Sequence, residues 1–167
     1  MDRMVPAGAF ASVMAERPRG RRPIPAPEVD LLAEVPLFTG LSKRQLKRVA
    51  EAADEVIYRE RAIVFLEGDP ATHLFVVAEG TARVFRGFVP SSRTLRRYGP
   101  GEIFGELGAL TNSPRGASVA AETPLTCVRI SRTNLDRLLK KEPDIAVRML
   151  YATARFAAEL ASEAAAH

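Results

Sequence analysis

Between Glu55 and Ile130 the chain is cut into short apolar segments, each closed by a turn signal. The segments are Glu55–Tyr58, Ala62–Leu66, His73–Ala78, Ala82–Arg86, Thr94–Tyr98, Ala117–Ala121 and Thr126–Ile130. Gly68-Asp69-Pro70, Glu79-Gly80 and Gly99-Pro100-Gly101 stand between several of them, and these residues break regular structure. Several short strands with one helical turn inside read as a small antiparallel barrel or jelly roll. The hairpin tip is expected at Pro90-Ser91-Ser92, where no role is evident.

Helical patterns flank this region. From Glu28 onward Val29, Leu31, Leu32 and Val35 cluster until Pro36. A tight connection, Leu37-Phe38-Thr39-Gly40-Leu41, leads to Ser42-Lys43-Arg44-Gln45. That tetrad predicts a capping box, with Ser42 as N-cap and Gln45 three residues on, ahead of a helix whose apolar face is Leu46, Val49 and Ala50. After the strands, Ser131 suits the N-cap of a helix through Lys141 with Leu135, Leu138 and Leu139 inward. Pro143 suits the first turn of a last helix reaching toward Ser162. Ile145, Met149, Ala152, Phe156 and Leu160 recur on one face, with Val147, Leu150, Ala154 and Ala157 beside them, so its apolar stripe is wider than one binding surface requires.

The chemistry concentrates in Gly101–Ala121, GEIFGELGALTNSPRGASVAA. Gly105 and Glu106 precede Arg115, with the turn-like Thr111-Asn112-Ser113-Pro114 between them and the small Gly116, Ala117 and Ser118 after it. A guanidinium grips phosphate as a bidentate fork. A carboxylate accepts from a sugar hydroxyl, and small residues let backbone N–H groups approach phosphate oxygens. Together these groups suit one ligand that carries a ribose hydroxyl and a phosphate close together.

At these residues the chain resembles the cyclic nucleotide-binding domain family, which includes catabolite-activator-type regulators, regulatory subunits of cyclic AMP-dependent kinase and cyclic nucleotide-gated channels. The family pattern is Phe-Gly-Glu, a hydrophobic residue, Ala or Gly, a small or hydrophobic residue and Leu, followed after a loop by Pro-Arg-small-Ala-Ser/Thr. Here it reads Phe104-Gly105-Glu106-Leu107-Gly108-Ala109-Leu110 and Pro114-Arg115-Gly116-Ala117-Ser118, with no insertion or deletion. The likeness runs from about Leu31 to about Phe156.

The resemblance implies a mainly β fold: an antiparallel β-roll, or jelly roll, with an N-terminal helical bundle and C-terminal helices. It implies that Arg115 pairs with the cyclic phosphate and Glu106 accepts from the ribose 2′-hydroxyl. Gly105, Leu107, Gly108, Gly116 and Ala117 would line phosphate and sugar. From the residues alone, Arg115 could also be an ion-paired surface arginine, and Glu106 an acid at the start of a short helix. In the family a Thr at the position of Gly116 goes with cyclic GMP preference. Gly116 has no hydroxyl, so cyclic AMP is favoured over cyclic GMP as the ligand. Phe104, Ile103 and Leu110 are expected in packing. The last helix is expected to move over the base or to build a dimer, with Tyr151, Arg155 or Phe156 stacking on adenine.

Organisation follows as residues 1–27, a basic Pro/Arg-rich arm; 28–142, the cyclic nucleotide-binding domain; and 143–167, a lid or dimerisation helix. The first 27 residues hold Arg3, Arg17, Arg19, Arg21 and Arg22 against Asp2 and Glu16, so +3 of the net +4 belongs to the arm. The near-neutral remainder argues against a nucleic-acid-binding face, and no DNA partner is expected for this chain alone. Ala7 to Met14 fits a short helix within the arm. No apolar run reaches a membrane span, and no secretory signal is evident, which makes the cytoplasm the default address.

Cys127 is the one cysteine, and alternation with Val128 and Ile130 makes it a buried hydrophobe rather than half of a disulfide. Two histidines, His73 and His167, give neither a metal centre nor a catalytic pair, so no metal, cofactor or enzyme activity is expected. The leading reading is a stand-alone cyclic nucleotide sensor that signals to a protein partner. Left open are the sensor fragment of a catabolite-activator-type transcription regulator, channel or kinase, and a nucleotide-silent dimerisation module.

Overall fold

The computed structural model describes residue 24, residues 26–88 and residues 91–166. The basic arm up to residue 23, its short helix at Ala7 to Met14, and the hairpin tip at Pro90 lie outside the described residues. The arm was expected to reach residue 27. Ile24 is instead buried in the helical core, and the first helix, α1 (Ala26–Leu32), already begins at Ala26.

A single 3-10 turn, Pro36–Phe38, follows α1, and Pro36 opens it because its fixed φ and missing N–H suit a first helical position. Helix α2 (Lys43–Glu51) has the expected capping box. Gln45 N–H donates to Ser42 Oγ at 3.2 Å, and Ser42 N–H donates to Gln45 Oε1 at 2.9 Å. Then come β1 (Ala53–Tyr58), β2 (Ile63–Phe65), β3 (His73–Glu79), β4 (Ala82–Arg86), β5 (Arg93–Tyr98), β6 (Ile103–Phe104), α3 (Glu106–Thr111), β7 (Ser118–Ala121) and β8 (Leu125–Ser131). Helices α4 (Arg132–Lys141) and α5 (Pro143–Ala165) complete the described chain. Ser131 caps α4 by accepting from Asn134 N–H at 3.1 Å, and Pro143 opens α5.

The strands form two four-stranded antiparallel sheets, in the orders β1-β8-β3-β6 and β2-β7-β4-β5. The fold is the mainly β roll with flanking helices that the sequence predicts. The two-residue β6 is absent from the sequence-based strands, since a pair of residues carries no periodicity.

Strand alternation divides the core in two. On β3, Phe75 and Val77 face the interior of the roll, while Leu74 and Val76 face the helices; on β8, Leu125 and Cys127 face inward and Val128 and Ile130 outward. Leu74 and Ile130 have no exposure, and burying such a side chain stabilises by about 1.5–3 kcal/mol. The outer layer joins these residues to Leu32, Val35, Phe38, Leu46, Val49, Leu135, Ile145 and Met149. Cys127 is fully buried, as its alternation predicts.

Helix α5 buries little of its wide apolar stripe. Only Ile145 and Met149 are buried, and from Leu150 on the helix is largely exposed. Leu150 and Tyr151 are each 69% exposed. Among the described residues, no helix is long and apolar enough to cross a membrane, and no cluster of His, Cys, Asp or Glu could hold a metal ion.

Candidate functional site

Helix α3 interrupts the roll between β6 and β7, and its two ends carry the site. Gly105, its N-cap, has φ +73°, a left-handed conformation that glycine adopts without a Cβ penalty. Asn112 closes the helix at φ +56°, which turns the chain back toward Arg115. Gly108 permits a close approach: a Cβ there would lie 2.7 Å from the Ala71 Cβ and 3.2 Å from the Ser113 carbonyl.

Arg115 is pinned by its own backbone. Its N–H donates to Asp69 C=O at 2.9 Å, and its C=O accepts from Gly68 N–H at 2.8 Å. Ser118 is buried and its Oγ accepts from Glu67 N–H at 2.9 Å, so the strand after Arg115 is tied to the same loop. The Arg115 side chain is only 5% exposed. Nη1 donates to Gly105 C=O at 2.7 Å, and Nη2 donates to His73 C=O. The guanidinium lies 3.9 Å above the Phe65 ring centroid, a cation–π arrangement. Nε is buried with no hydrogen-bond partner among the described residues. Burial pulls the Arg115 pKa down to about 10, against the charges of Asp69 and Glu106, and the group stays protonated at neutral pH.

Glu106 opens α3. Burial pushes its carboxyl above the usual carboxylate range, while a hydrogen bond to its own backbone and the charges of Arg96 and Arg115 act the other way. The site therefore holds an incompletely compensated cation and an acid that gains from a hydroxyl donor.

These groups border one cavity of about 440 Å³. All seven residues singled out in the sequence, Gly105, Glu106, Leu107, Gly108, Arg115, Gly116 and Ala117, line it. Leu107 stands 55% exposed at the rim, and a Cβ on Gly116 would meet nothing within 4 Å. The floor is aromatic. Phe104 stacks on Phe75 with centroids 5.0 Å apart, and Phe65 and Tyr98 lie against Phe104. Phe104 is thus a packing residue, as expected, and also part of the cavity wall. Sequence reasoning missed Phe65, Val84, Arg86 and Tyr98, which also line the cavity. They come from β2, β4 and β5, and only strand register brings them to the α3 loop.

Tyr151, Arg155 and Phe156 are not at this cavity. They line a separate groove with Pro36, Thr39 and Gly40, because α5 is anchored through Ile145 and Met149 on the helical side of the roll. His73 meets the Arg115 guanidinium through its carbonyl.

The cyclic nucleotide-binding domain model matches residues 55–142, more than half of the chain. The chain is 32% identical over 120 residues to a cAMP-dependent protein kinase regulatory subunit of Aspergillus niger, covering 72% of this chain and 29% of that protein. The chain therefore spans under a third of that relative's length. Among solved structures, it resembles the N-terminal domain of a transcriptional regulator from Streptomyces coelicolor A3(2), with a TM-score of 0.74 and 30% identity over 80% of this chain and 94% of the other. It also resembles the catabolite activator protein of Thermus thermophilus, with a TM-score of 0.66 and 30% identity, covering 77% and 61% of the two chains. The cassette around α3, the roll that carries it and the matched span agree, and the chain belongs to the cyclic nucleotide-binding domain family.

Proposed function

We propose that this chain is a non-catalytic cyclic nucleotide sensor with cyclic AMP as its favoured ligand. The observation that carries the reading is the convergence of Arg115 and Glu106 on one cavity, with the Arg115 Nε buried and without a hydrogen-bond partner among the described residues. A cyclic phosphate supplies acceptors to that guanidinium, and the ribose 2′-hydroxyl supplies a donor to Glu106. Gly105 and Gly108 leave room for close backbone approach, with Leu107, Gly116 and Ala117 at the cavity wall. The preference for cyclic AMP is supported by the missing hydroxyl at Gly116 and by a relative named for cyclic AMP dependence.

The signal is a shift of α5 between two positions. In the present one its second half makes little buried contact, and Tyr151, Arg155 and Phe156 face away from the cavity. A ligand shifts such an equilibrium only through contacts that differ between the states. An aromatic or guanidinium group that meets the base in one position alone provides that difference. The exposed stripe Val147, Leu150, Tyr151, Ala154 and Ala161 recurs at helical spacing and suits pairing with a second copy.

A second reading, the sensory part of a transcription regulator, is favoured by the match over 94% of the Streptomyces domain. On that reading DNA contact belongs to another part of the regulator, and this chain alone gives no specific complex in a gel shift.

The test is calorimetric titration with cyclic AMP and cyclic GMP, using the parent and Arg115→Lys. Saturable binding that falls at least about tenfold in the lysine variant supports the reading, since a hydrogen bond to a charged group contributes about 1.5–3 kcal/mol. Absence of binding by the parent overturns it.

A further inference from the structure

Three charged side chains line the cavity: Glu106, Arg115 and Arg86. The first two face sugar and phosphate in the proposed function, on which this inference rests. Arg86 has no assigned part. It ends β4, two residues after Val84, so ordinary strand alternation points both at the cavity. Its Nε donates to the Gly116 carbonyl at 3.1 Å. That bond leaves Nη1 and Nη2 without a hydrogen bond or ion pair among the described residues. Neighbouring Arg96 is occupied instead, with Glu102 at 3.4 Å and the Tyr98 ring at 4.6 Å.

The anchor point has its own significance. The space beside Gly116 is open, and the carbonyl of that same residue holds the Arg86 guanidinium next to it. With the phosphate directed to Arg115 and the ribose to Glu106, the base is left with Val84, Tyr98, Leu107 and Arg86. Apolar and aromatic groups suit its faces. A planar fork with two free donors suits an edge that carries acceptors. Purines present such an edge: N7 in both adenine and guanine, with O6 beside it in guanine alone. Pyrimidines have no N7.

We propose that Arg86 is the base-reading residue of this pocket. It donates to the purine N7 and, in guanine, to O6 as well. It supplies from β4 the donor that Gly116 lacks, so the site is purine-selective and takes cyclic GMP as a second ligand beside cyclic AMP.

The test is titration of the parent, Arg86→Leu and Arg86→Lys with cyclic AMP, cyclic GMP, 7-deaza-cyclic GMP and cyclic CMP, with melting curves for each protein. Arg86 is exposed, so both variants are expected to melt as the parent does. A bidentate contact predicts that Arg86→Leu weakens cyclic GMP by about tenfold and cyclic AMP less. Arg86→Lys recovers part of the cyclic AMP affinity but not the cyclic GMP fork. The 7-deaza analogue binds parent and Arg86→Leu with a smaller difference than cyclic GMP, and cyclic CMP binds weakly to all. Equal loss for every ligand would place Arg86 on phosphate or in general steering and overturn the proposal, as would no change at all. A parent protein that binds none of the four overturns the sensor reading and this one together. Binding by the parent with an indifferent Arg86→Leu overturns this one only.

Discussion

Arg115 and Gly105 are fitted to each other. The Arg115 Nη1 donates to the Gly105 carbonyl at 2.7 Å, and a Cβ on residue 105 would come within 2.7 Å of the same nitrogen. Gly105 also sits at φ +73°. Gly105→Ala therefore carries two costs. The left-handed backbone destabilises the fold by about 1–2 kcal/mol, and the methyl group pushes the guanidinium off its seat. The expected result is a melting temperature lower by about 2–8 °C together with weaker cyclic nucleotide binding. Thermal unfolding and titration of the same preparation check it. Unchanged binding in a destabilised variant would separate the backbone strain from the ligand site.

Glu106 gives a prediction with a pH signature. Its folded pKa is raised by burial, so its contribution to stability is fully present below the unfolded carboxylate value and is lost as pH rises through the folded one. At neutral pH the buried charge is a liability that Gln does not carry. Glu106→Gln is expected to be more stable than the parent at pH 7, with the gain vanishing as pH falls below the ordinary carboxylate range. The same variant should bind cyclic AMP about five- to tenfold more weakly, because a charged acceptor becomes a neutral one. The 2′-deoxy analogue should bind parent and variant with a smaller difference. Denaturant titration across pH and calorimetry with both ligands measure the two halves.

Much of this site was legible because its signals are local. The capping box needs only Ser42 and Gln45, and the α3 loop needs only the run from Phe104 to Ser118. What stayed hidden depends on register. Arg86 and Gly116 are 30 residues apart and meet only because β4 pairs with β7. Phe65 reaches the Arg115 guanidinium through the loop that joins β2 to Asp69. The last helix was legible as a wide apolar stripe, but a stripe does not say which surface it covers, and its buried residues are Ile145 and Met149.

His73 should make the fold acid-sensitive. Burial lowers its pKa from 6.5 to about 4, with Arg129 adding to the effect and Asp54 opposing it. A histidine depressed in this way is held neutral in the folded state. Its contribution is fully present above pH 6.5 and is lost as pH falls toward 4. The parent should therefore lose stability between pH 6.5 and pH 4 more steeply than His73→Gln, whose side chain does not titrate. Denaturation midpoints of both proteins across that window check the difference. Parallel pH profiles would mean that His73 is protonated without cost.

The exposed face of α5 sets the last prediction. Leu150 is 69% exposed and Val147 51%, and with the exposed Ala154 and Ala161 they form a stripe along the helix. The small alanines allow a second helix to approach closely, and the two larger side chains then become buried. Pairing of two copies through this stripe removes apolar area from water on both. Leu150→Glu keeps helix propensity and charges the middle of the stripe twice over in a dimer. Sedimentation of the parent is expected to show a dimer at micromolar concentration, and Leu150→Glu a monomer with an unchanged melting profile at low concentration. Cyclic nucleotide should change the parent's dimer fraction if α5 carries the signal, and should leave the monomeric variant's mass unchanged while still binding to it. A parent that stays monomeric with and without nucleotide overturns pairing through the stripe.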